Sequence, residues 1–228
     1  MQSARPGVRQ TPVHHQLVEG GALLKDVAGW LVAEHFGDAE VEAQAVRSGV
    51  GLCDLSAAEK WEIKGNELPR HLASVFGPDI PEPGYVVANR KGILCRVSRH
   101  HALFLANRDE LAAESPFKEG SSATCAHATN RTSGLASFLL CGPKARDVLG
   151  KLTSLDLRET RFPNHRCRCG PMAAIQVVLV HKDRGQLPGY EILVSREYGE
   201  YLWKAVTAAG EEYHLRHFGM AALRLLEQ

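Results

Sequence analysis

The residues best suited to chemistry lie in a basic stretch between Tyr85 and Glu110. Its sequence, YVVANRKGILCRVSRHHALFLANRDE, carries no carboxylate from Tyr85 until Asp109. Its middle is crowded with basic side chains: Arg90, Lys91, Arg96, Arg99, His100 and His101. Arginine binds carboxylates and phosphates but does not give up its proton near neutral pH. A stretch so poor in carboxylates and so rich in basic side chains is unusual for acid–base chemistry, and its charges suit an anion or a partner.

The cysteines predict buried thiols. They are scattered, with no CxxC pair, at Cys53, Cys95, Cys125, Cys141, Cys167 and Cys169. The segment HRCRC, His165 to Cys169, comes closest to a metal cluster. In an extended segment, however, Cys167 and Cys169 point to the same face, and no second ligand pair follows at zinc spacing. We therefore expect no metal, no disulfide framework and a reducing compartment, the cytoplasm.

Composition argues against nucleic acid and membranes as general partners. The 228 residues carry 27 Lys and Arg against 26 Asp and Glu, so any anion site must be local. The longest apolar runs, such as AAIQVVLV at 173–180, are far shorter than the roughly 20 residues that a membrane span needs. The first dozen residues lack the apolar centre of a signal peptide, and we expect residues 1–12 to be a disordered lead-in.

Helices and strands alternate along the chain. The segment after Asp38 predicts a helix with Asp38 as N-cap and a stripe of Val41, Ala45 and Val46. EKWEIKG predicts a strand, and NELPRHLASVFG a helix capped by Asn66 and ended at Gly77. Further strands are predicted at GYVVA, ILCRVS, HALFLAN, MAAIQVVLVHKD and GYEILVS, with helices near RDELAAES and over REYGEYLWKAVTAAG.

An internal repeat organises these elements. WEIKGNELPRHLASVFGPDI from Trp61 aligns without a gap on FLLCGPKARDVLGKLTSLDL from Phe138, so that Gly65 meets Gly142 and Leu72 meets Leu149. We predict an α+β fold, a duplicated domain of two related β/α halves with mixed sheets and helices. A single domain is expected over 13–228, with pseudo-repeats at about 57–120 and 134–210.

Several segments resemble one family when taken in order. They are the Thr11–Pro12 start, Gly21–Ala22, AGW at 28–30, AVRSGVGLCDLS, NRKG, LFLAN, CGPKARDVL, GYEILVS, LWKAV and FGMAALRLLE. This set resembles the folate-binding domain of the glycine-cleavage T-protein (aminomethyltransferase) superfamily, which includes sarcosine oxidases. T-proteins continue into a C-terminal barrel, for which this sequence has no counterpart.

The resemblance implies a tetrahydrofolate site between the two halves. A buried carboxylate that accepts hydrogen bonds from the pterin ring corresponds to Glu191, and Tyr85 and Asn107 fall near positions that line the pocket. Tyr190 and Arg96 complete the implied binding set. Strand alternation alone places Tyr190 with Ile192 and Val194 on one face and Glu191 with Leu193 on the other, so an exposed strand glutamate is an equally compatible interpretation.

The family's catalytic aspartate has no acidic counterpart. The alignment of NRKG places it at Arg96, or at Cys95 or Val97 if the register slips. A thiol at Cys95 could act as a nucleophile but has no evident partner base. The resemblance thus implies a tetrahydrofolate-binding, aminomethyltransferase-like protein of one-carbon metabolism with impaired or altered catalysis and no assigned catalytic residue.

Two other hypotheses stay open. The first is a non-catalytic subunit resembling the small subunit of heterotetrameric sarcosine oxidase, which acts through contact with larger oxidase or glycine-cleavage subunits. The second is an unrelated anion-binding or nucleic-acid-binding module built on the basic stretch, for which few aromatic residues are interleaved with the charges. The same basic side chains could bind the anionic glutamate tail of a folate, which requires fewer contacts than a nucleic acid does.

Overall fold

The computed structural model describes residues 7–89, 91–107, 117 and 126–228. The predicted helix near RDELAAES and Arg90 lie outside these residues. The helices are α1 (His14–Glu19), α2 (Ala39–Ser48), α3 (Leu68–Phe76), α4 (Ala145–Gly150), α5 (Gly199–Gly210) and α6 (Met220–Leu226). No helix in the described ranges combines the length and the apolar character needed to cross a lipid bilayer.

The strands of the first half of the chain are β1 (Arg9–Gln10), β2 (Leu23–Val27), β3 (Trp30–His35), β4 (Gly51–Asp54), β5 (Lys60–Gly65), β6 (Val86–Asn89), β7 (Gly92–Ser98) and β8 (His101–Ala106). Those of the second half are β9 (Ala126–Asn130), β10 (Leu135–Cys141), β11 (Arg166–Met172), β12 (Ile175–His181), β13 (Gly189–Ser195) and β14 (Arg216–His217). They form sheets of order β1-β3-β2, β6-β7-β8-β5-β9 and β11-β12-β13-β10-β4-β14.

The two larger sheets share one plan and exchange one strand. In each, a meander of three antiparallel strands continues into the first strand of its half, β5 or β10. The next position is filled from the other half: β4 precedes β5 in the chain but pairs with β10, and β9 precedes β10 but pairs with β5. This confirms the predicted α+β fold of two related halves, with mixed sheets and helices.

The residues matched by the internal repeat occupy equivalent positions. Gly65 and Gly142 both end a strand with positive φ, at 158° and 122°. A Cβ on Gly142 would lie 2.5 Å from the carbonyl oxygen of Gly49, so only glycine fits there. Leu72 on α3 and Leu149 on α4 are both fully buried. The division into repeats of about 57–120 and 134–210 stays a prediction that these equivalences support.

The two large sheets pack face to face over part of their area. Val86, Cys95 and Leu105 from one sheet share a buried cluster with Val180 and Leu193 from the other. Helices cover the outer faces: α3 packs on the five-stranded sheet, and α4 and α5 pack on the six-stranded sheet. Beside the sheet contact, α2 and α6 cover β4 and β10. The space where the two sheets meet α6 is therefore bounded on three sides, by each of the two sheets and by α6.

Helix α2 begins as predicted but buries another face. Asp38 caps it by accepting hydrogen bonds from the amides of Glu40 and Val41 at 2.8 and 3.1 Å. The buried stripe contains Glu42, whereas Val41 is 67% exposed, so that part of the prediction is wrong. The reason is that the Glu42 carboxylate accepts from the amides of Phe36 (2.6 Å) and Gly219 (2.9 Å), which turns its face inward.

Two other local expectations need correction. Helix α3 has Glu67 at its N-cap position, one residue after the predicted Asn66, and it ends at Gly77 with φ 86°. In the predicted disordered lead-in, Arg9 and Gln10 form a strand parallel to β3, opposite Trp30 and Leu31. Backbone pairing with β3 thus orders the chain before residue 13, and residues 1–6 lie outside the description.

Candidate functional site

A cavity of about 310 Å³ opens where the two large sheets meet α6. The five-stranded sheet contributes β5, the β6–β7 turn and the end of β8, the six-stranded sheet contributes β13 and the turn before it, and α6 closes the third side. This volume is at the lower end of the range for small-molecule sites, about 300–1,000 Å³. The lining residues are Ala58, Lys60, Ala88, Asn89, Gly92, Ile93, Leu105, Ala106, Asn107, Lys182, Arg184, Glu191, Met220, Leu223, Arg224 and Glu227.

Glu191 is the buried carboxylate of this cavity. Strand β13 is buried along almost its whole length, and Glu191 is only 3% exposed, so the exposed-glutamate alternative is wrong. Ser137 Oγ on β10 donates to Glu191 Oε1 at 2.6 Å, and Arg184 Nη2 lies 3.3 Å from Oε2. An ionised carboxylate only accepts hydrogen bonds. Glu191 is therefore a buried acceptor in the wall of this cavity.

Arg184 joins Glu191 to the end of α6. Its Nη1 donates to Glu227 Oε1 at 3.0 Å while its Nη2 faces Glu191. Its Nε is buried and has no hydrogen-bond partner among the residues that the structure describes. Sequence analysis missed this residue because its role depends on the turn between β12 and β13, where Gly185 at φ 58° brings Arg184 back toward β13. The sequence did offer one signal for Arg184: it precedes a turn glycine and lies seven residues before the strand residue Glu191.

Basic side chains outnumber acidic ones around the cavity. Lys60 is fully buried, and its Nζ donates to the carbonyl oxygens of Ser56 (2.9 Å) and Ala58 (2.5 Å). Lys182, Arg184 and Arg224 also line the cavity, against the carboxylates of Glu191 and Glu227, and Arg224 pairs with Glu34 outside it. The arrangement suits a ligand with a negatively charged part.

The wall contributed by the five-stranded sheet is largely apolar. Ile93 and Leu105 face Met220 and Leu223 of α6 across the cavity. Gly92 starts β7 at φ 155°, and a Cβ there would lie 2.2 Å from the carbonyl oxygen of Leu105. The turn before it is held by Asn89, whose Oδ1 accepts from the amides of Lys91 (2.9 Å) and Gly92 (3.2 Å). A flat ring would thus find aliphatic contacts on two sides.

The structure brings together only part of the predicted binding set. Glu191 and Asn107 both line the cavity. Tyr190 points to the opposite face of β13, as alternation predicts, and stacks on His181 with ring centroids 4.4 Å apart. Tyr85 is 47% exposed and lies under the Arg166 guanidinium, which is 3.8 Å from its ring centroid. Neither tyrosine is among the residues that line this cavity.

Arg96 also points away from the cavity. Its guanidinium is buried at the far end of β7, where it donates to the carbonyl oxygens of Ser98 and Arg99, each at 3.0 Å. The side chain at this level that faces the other sheet is Cys95. Burial, together with neighbouring Cys167 and Glu191, raises the pKa of the Cys95 thiol well above its usual value. Such a thiol is neither a base nor an activated nucleophile.

The basic stretch is divided between two ends of the sheet. Lys91 lies at the β6–β7 turn beside the cavity, while Arg99 and His100 lie at the β7–β8 turn. Seven residues of β7 separate the turns, a distance of about 20 Å. The single basic cluster predicted from sequence therefore does not form in the described residues, because consecutive hairpin turns fall at opposite ends of their strands.

The HRCRC segment forms β11, with its two thiols on one strand face as expected. Cys167 is buried against β7 and Cys169 is exposed. Burial raises the pKa of Cys167 to about 12. Among the described residues, no three His, Cys, Asp or Glu side chains are grouped as metal ligands.

The fold and cavity define a duplicated α+β protein with a ligand-sized site between its sheets. The family described as "GCVT N-terminal domain" matches residues 13–227, and the chain belongs to that family. Aminomethyltransferases of Thermoanaerobacter sp. and Saccharopolyspora erythraea are 25% and 27% identical to it, over 94% and 93% of this chain. The chain spans 62% and 61% of the length of these two relatives.

Solved structures agree on the fold. The glycine cleavage system aminomethyltransferase T from Bartonella henselae superposes with a TM-score of 0.75 at 17% identity, over 96% of this chain and 62% of that one. A chain of the heterotetrameric sarcosine oxidase from Corynebacterium sp. U-96 gives a TM-score of 0.62 at 20% identity, over 90% of this chain and 96% of that one. The predicted resemblance to the T-protein and sarcosine oxidase superfamily is thereby confirmed.

Proposed function

We propose that this protein binds tetrahydrofolate in the cavity between its sheets and belongs to cytoplasmic one-carbon metabolism. The observation that carries the proposal is the buried carboxylate of Glu191, presented to a ligand-sized cavity in a chain of an aminomethyltransferase family. Asn107 lies on the same cavity and supplies both hydrogen-bond donors and an acceptor.

The residues present fit a reduced folate. The planar edge of a pterin offers amino and imide N–H groups, and a carboxylate such as that of Glu191 accepts from such an edge in a planar bidentate match. Ile93 and Leu105 offer apolar contacts for the ring. The glutamyl carboxylates of the same ligand carry negative charge, which the cationic excess of the lining suits. When bound, tetrahydrofolate supplies the nitrogen that carries the one-carbon unit.

We infer that catalysis is impaired or altered. In β7 the side chain that faces the other sheet near Glu191 is Cys95, whose thiol stays protonated because burial raises its pKa. The Arg96 guanidinium donates hydrogen bonds to backbone carbonyl groups at the other end of the strand. Neither group can serve as a general base. Binding and positioning of the folate are therefore the functions that these residues support.

Calorimetric titration with 5-formyltetrahydrofolate, a stable reduced folate, tests the proposal. We expect Glu191→Gln to weaken binding by roughly 10-fold or more, because one charge-assisted hydrogen bond is worth about 1.5–3 kcal/mol. Glu212→Gln, a change of the same kind on the surface beside Lys151, should bind as the wild type does. Absence of both heat and thermal shift at millimolar ligand would contradict folate binding.

A second candidate is a non-catalytic subunit of a larger oxidase or glycine-cleavage assembly. It is favoured by the fold match with a chain of heterotetrameric sarcosine oxidase, which covers 90% of this chain and 96% of that one. Size-exclusion chromatography with light scattering on protein purified from its native source distinguishes it. Co-elution with a flavin-containing partner would support this candidate, and a lone monomer that binds folate would exclude it in favour of the first.

A further inference from the structure

Four side chains form a basic surface away from the cavity, at the outer edge of the six-stranded sheet. They are Tyr85, Arg161, Arg166 and Arg168, here called the arginine surface. Arg166 and Arg168 lie two residues apart on β11, so their side chains leave the same face of the strand about 7 Å apart. Arg168 Nη2 donates to the carbonyl oxygen of Arg161 at 3.1 Å, which brings the third arginine alongside.

The arginines of this surface have no carboxylate ion-pair partner within the described part of the chain, although Asp156 lies near enough to interact with the charge of Arg161. No Asp or Glu oxygen lies within 4.0 Å of the guanidinium groups of Arg161, Arg166 and Arg168 there, whereas neighbouring Arg158 and Arg146 pair with Asp156 and Glu159. Arg166 Nε is moreover buried, with no hydrogen-bond partner in the described ranges. Because nearby arginines do have carboxylate partners, the three unpaired ones stand out as available for a ligand.

Two arginines of the surface, Arg166 and Arg168, are held in place before any partner binds. The Arg166 guanidinium stacks on the Tyr85 ring at 3.8 Å, and the Arg168 guanidinium lies 5.9 Å from the ring centroid of Phe162. The backbone beneath is fixed as well, because Cys167 N donates to Gly84 O at 3.0 Å. Side chains ordered in advance lose little conformational freedom on binding, which favours affinity.

We propose that the arginine surface binds an acidic segment of a partner protein, rich in Asp and Glu. A planar guanidinium matches a carboxylate with two parallel hydrogen bonds, and fixed neighbouring arginines match successive acidic side chains. Single-stranded nucleic acid fits less well, because it needs exposed aromatic faces for its bases, and the face of Tyr85 is already covered by Arg166.

Fluorescence anisotropy with a labelled octaglutamate peptide at low salt tests this proposal on the whole chain. We expect saturable binding that weakens as salt rises, and about fivefold weaker binding in Arg161→Gln, which removes one charge but, among the described residues, no side-chain hydrogen bond or ion pair. Arg168→Gln should weaken it at least as much. The control is Arg70→Gln, which removes the same charge from exposed α3 and should bind as the wild type does.

Each contrary outcome overturns the proposal. No binding at millimolar peptide, or equal binding by wild type, Arg161→Gln and Arg168→Gln, would show that these arginines do not receive an acidic segment. Tighter binding of a labelled oligothymidine than of octaglutamate would assign the surface to nucleic acid instead. Circular dichroism melting of each variant verifies that the fold is kept, and Arg161→Gln decides the question if Arg168→Gln unfolds.

Discussion

The Ser137 hydroxyl donates a 2.6 Å hydrogen bond to the Glu191 carboxylate, across the pair formed by β10 and β13. Both residues are buried, at 0% and 3% exposure, so no bulk water replaces this bond when it is removed. We expect Ser137→Ala to lower the free energy of unfolding by about 1–3 kcal/mol, measured by urea denaturation. Ser74→Ala, which removes a part-buried hydroxyl bound to a helix carbonyl group, should cost less. Equal stability of Ser137→Ala and wild type would contradict the geometry.

Arg184 and Glu191 should show energetic coupling. Arg184→Met leaves Glu191 and Glu227 without their shared cation, and breaking one side of a buried ion pair costs about 3 kcal/mol or more. Arg184→Met combined with Glu191→Gln removes most of that penalty. We expect a coupling energy of about 1–3 kcal/mol from the four urea unfolding curves. Additive effects of the two changes would mean that the pair contributes no specific interaction.

The sequence predicted the site best where strand alternation alone decides which way a side chain points. GYEILVS became β13 with both of its faces assigned correctly, because strand alternation has a fixed period. Arg96 differs: the resemblance places it in the binding set, yet loop carbonyl groups accept its hydrogen bonds inside the fold. Such partners come from turns whose course the strand pattern does not contain.

Pairing between distant segments explains the other differences. The exchange of β4 and β9 between halves depends on contacts between residues 61 to 90 positions apart, which periodicity does not encode. Glu42 looked like a surface residue of α2 because the amides that it binds, at Phe36 and Gly219, lie in other elements. In both cases the fold class followed from local signals, and the exact neighbours followed from tertiary contacts.

Cysteine labelling should separate exposed from buried thiols. Burial raises the pKa of both Cys141 and Cys167 to about 12, so at pH 8 only about one thiol in ten thousand is ionised at these sites. Cys169 is exposed, and although burial of its sulfur raises its pKa, we expect it to react first among these three. Peptide mass spectrometry after brief iodoacetamide treatment measures this order, with guanidinium-unfolded protein as the control. Early labelling of Cys141 or Cys167 in the folded protein would contradict their burial.

The stabilising contribution of Glu62 should depend on pH. Burial raises its pKa, but the hydrogen bond and charge of Lys64, with the charges of His101 and Arg131, outweigh burial and hold the pKa below its usual 4.5. A carboxylate with a lowered pKa stabilises the folded state fully above pH 4.5, and loses that contribution as the pH falls through the folded-state pKa. Glu62→Gln should therefore reduce the urea midpoint at pH 7, and the difference from wild type should shrink as the pH falls below 4. A difference that stays constant or grows toward acid pH would show that the basic neighbours do not stabilise the Glu62 carboxylate.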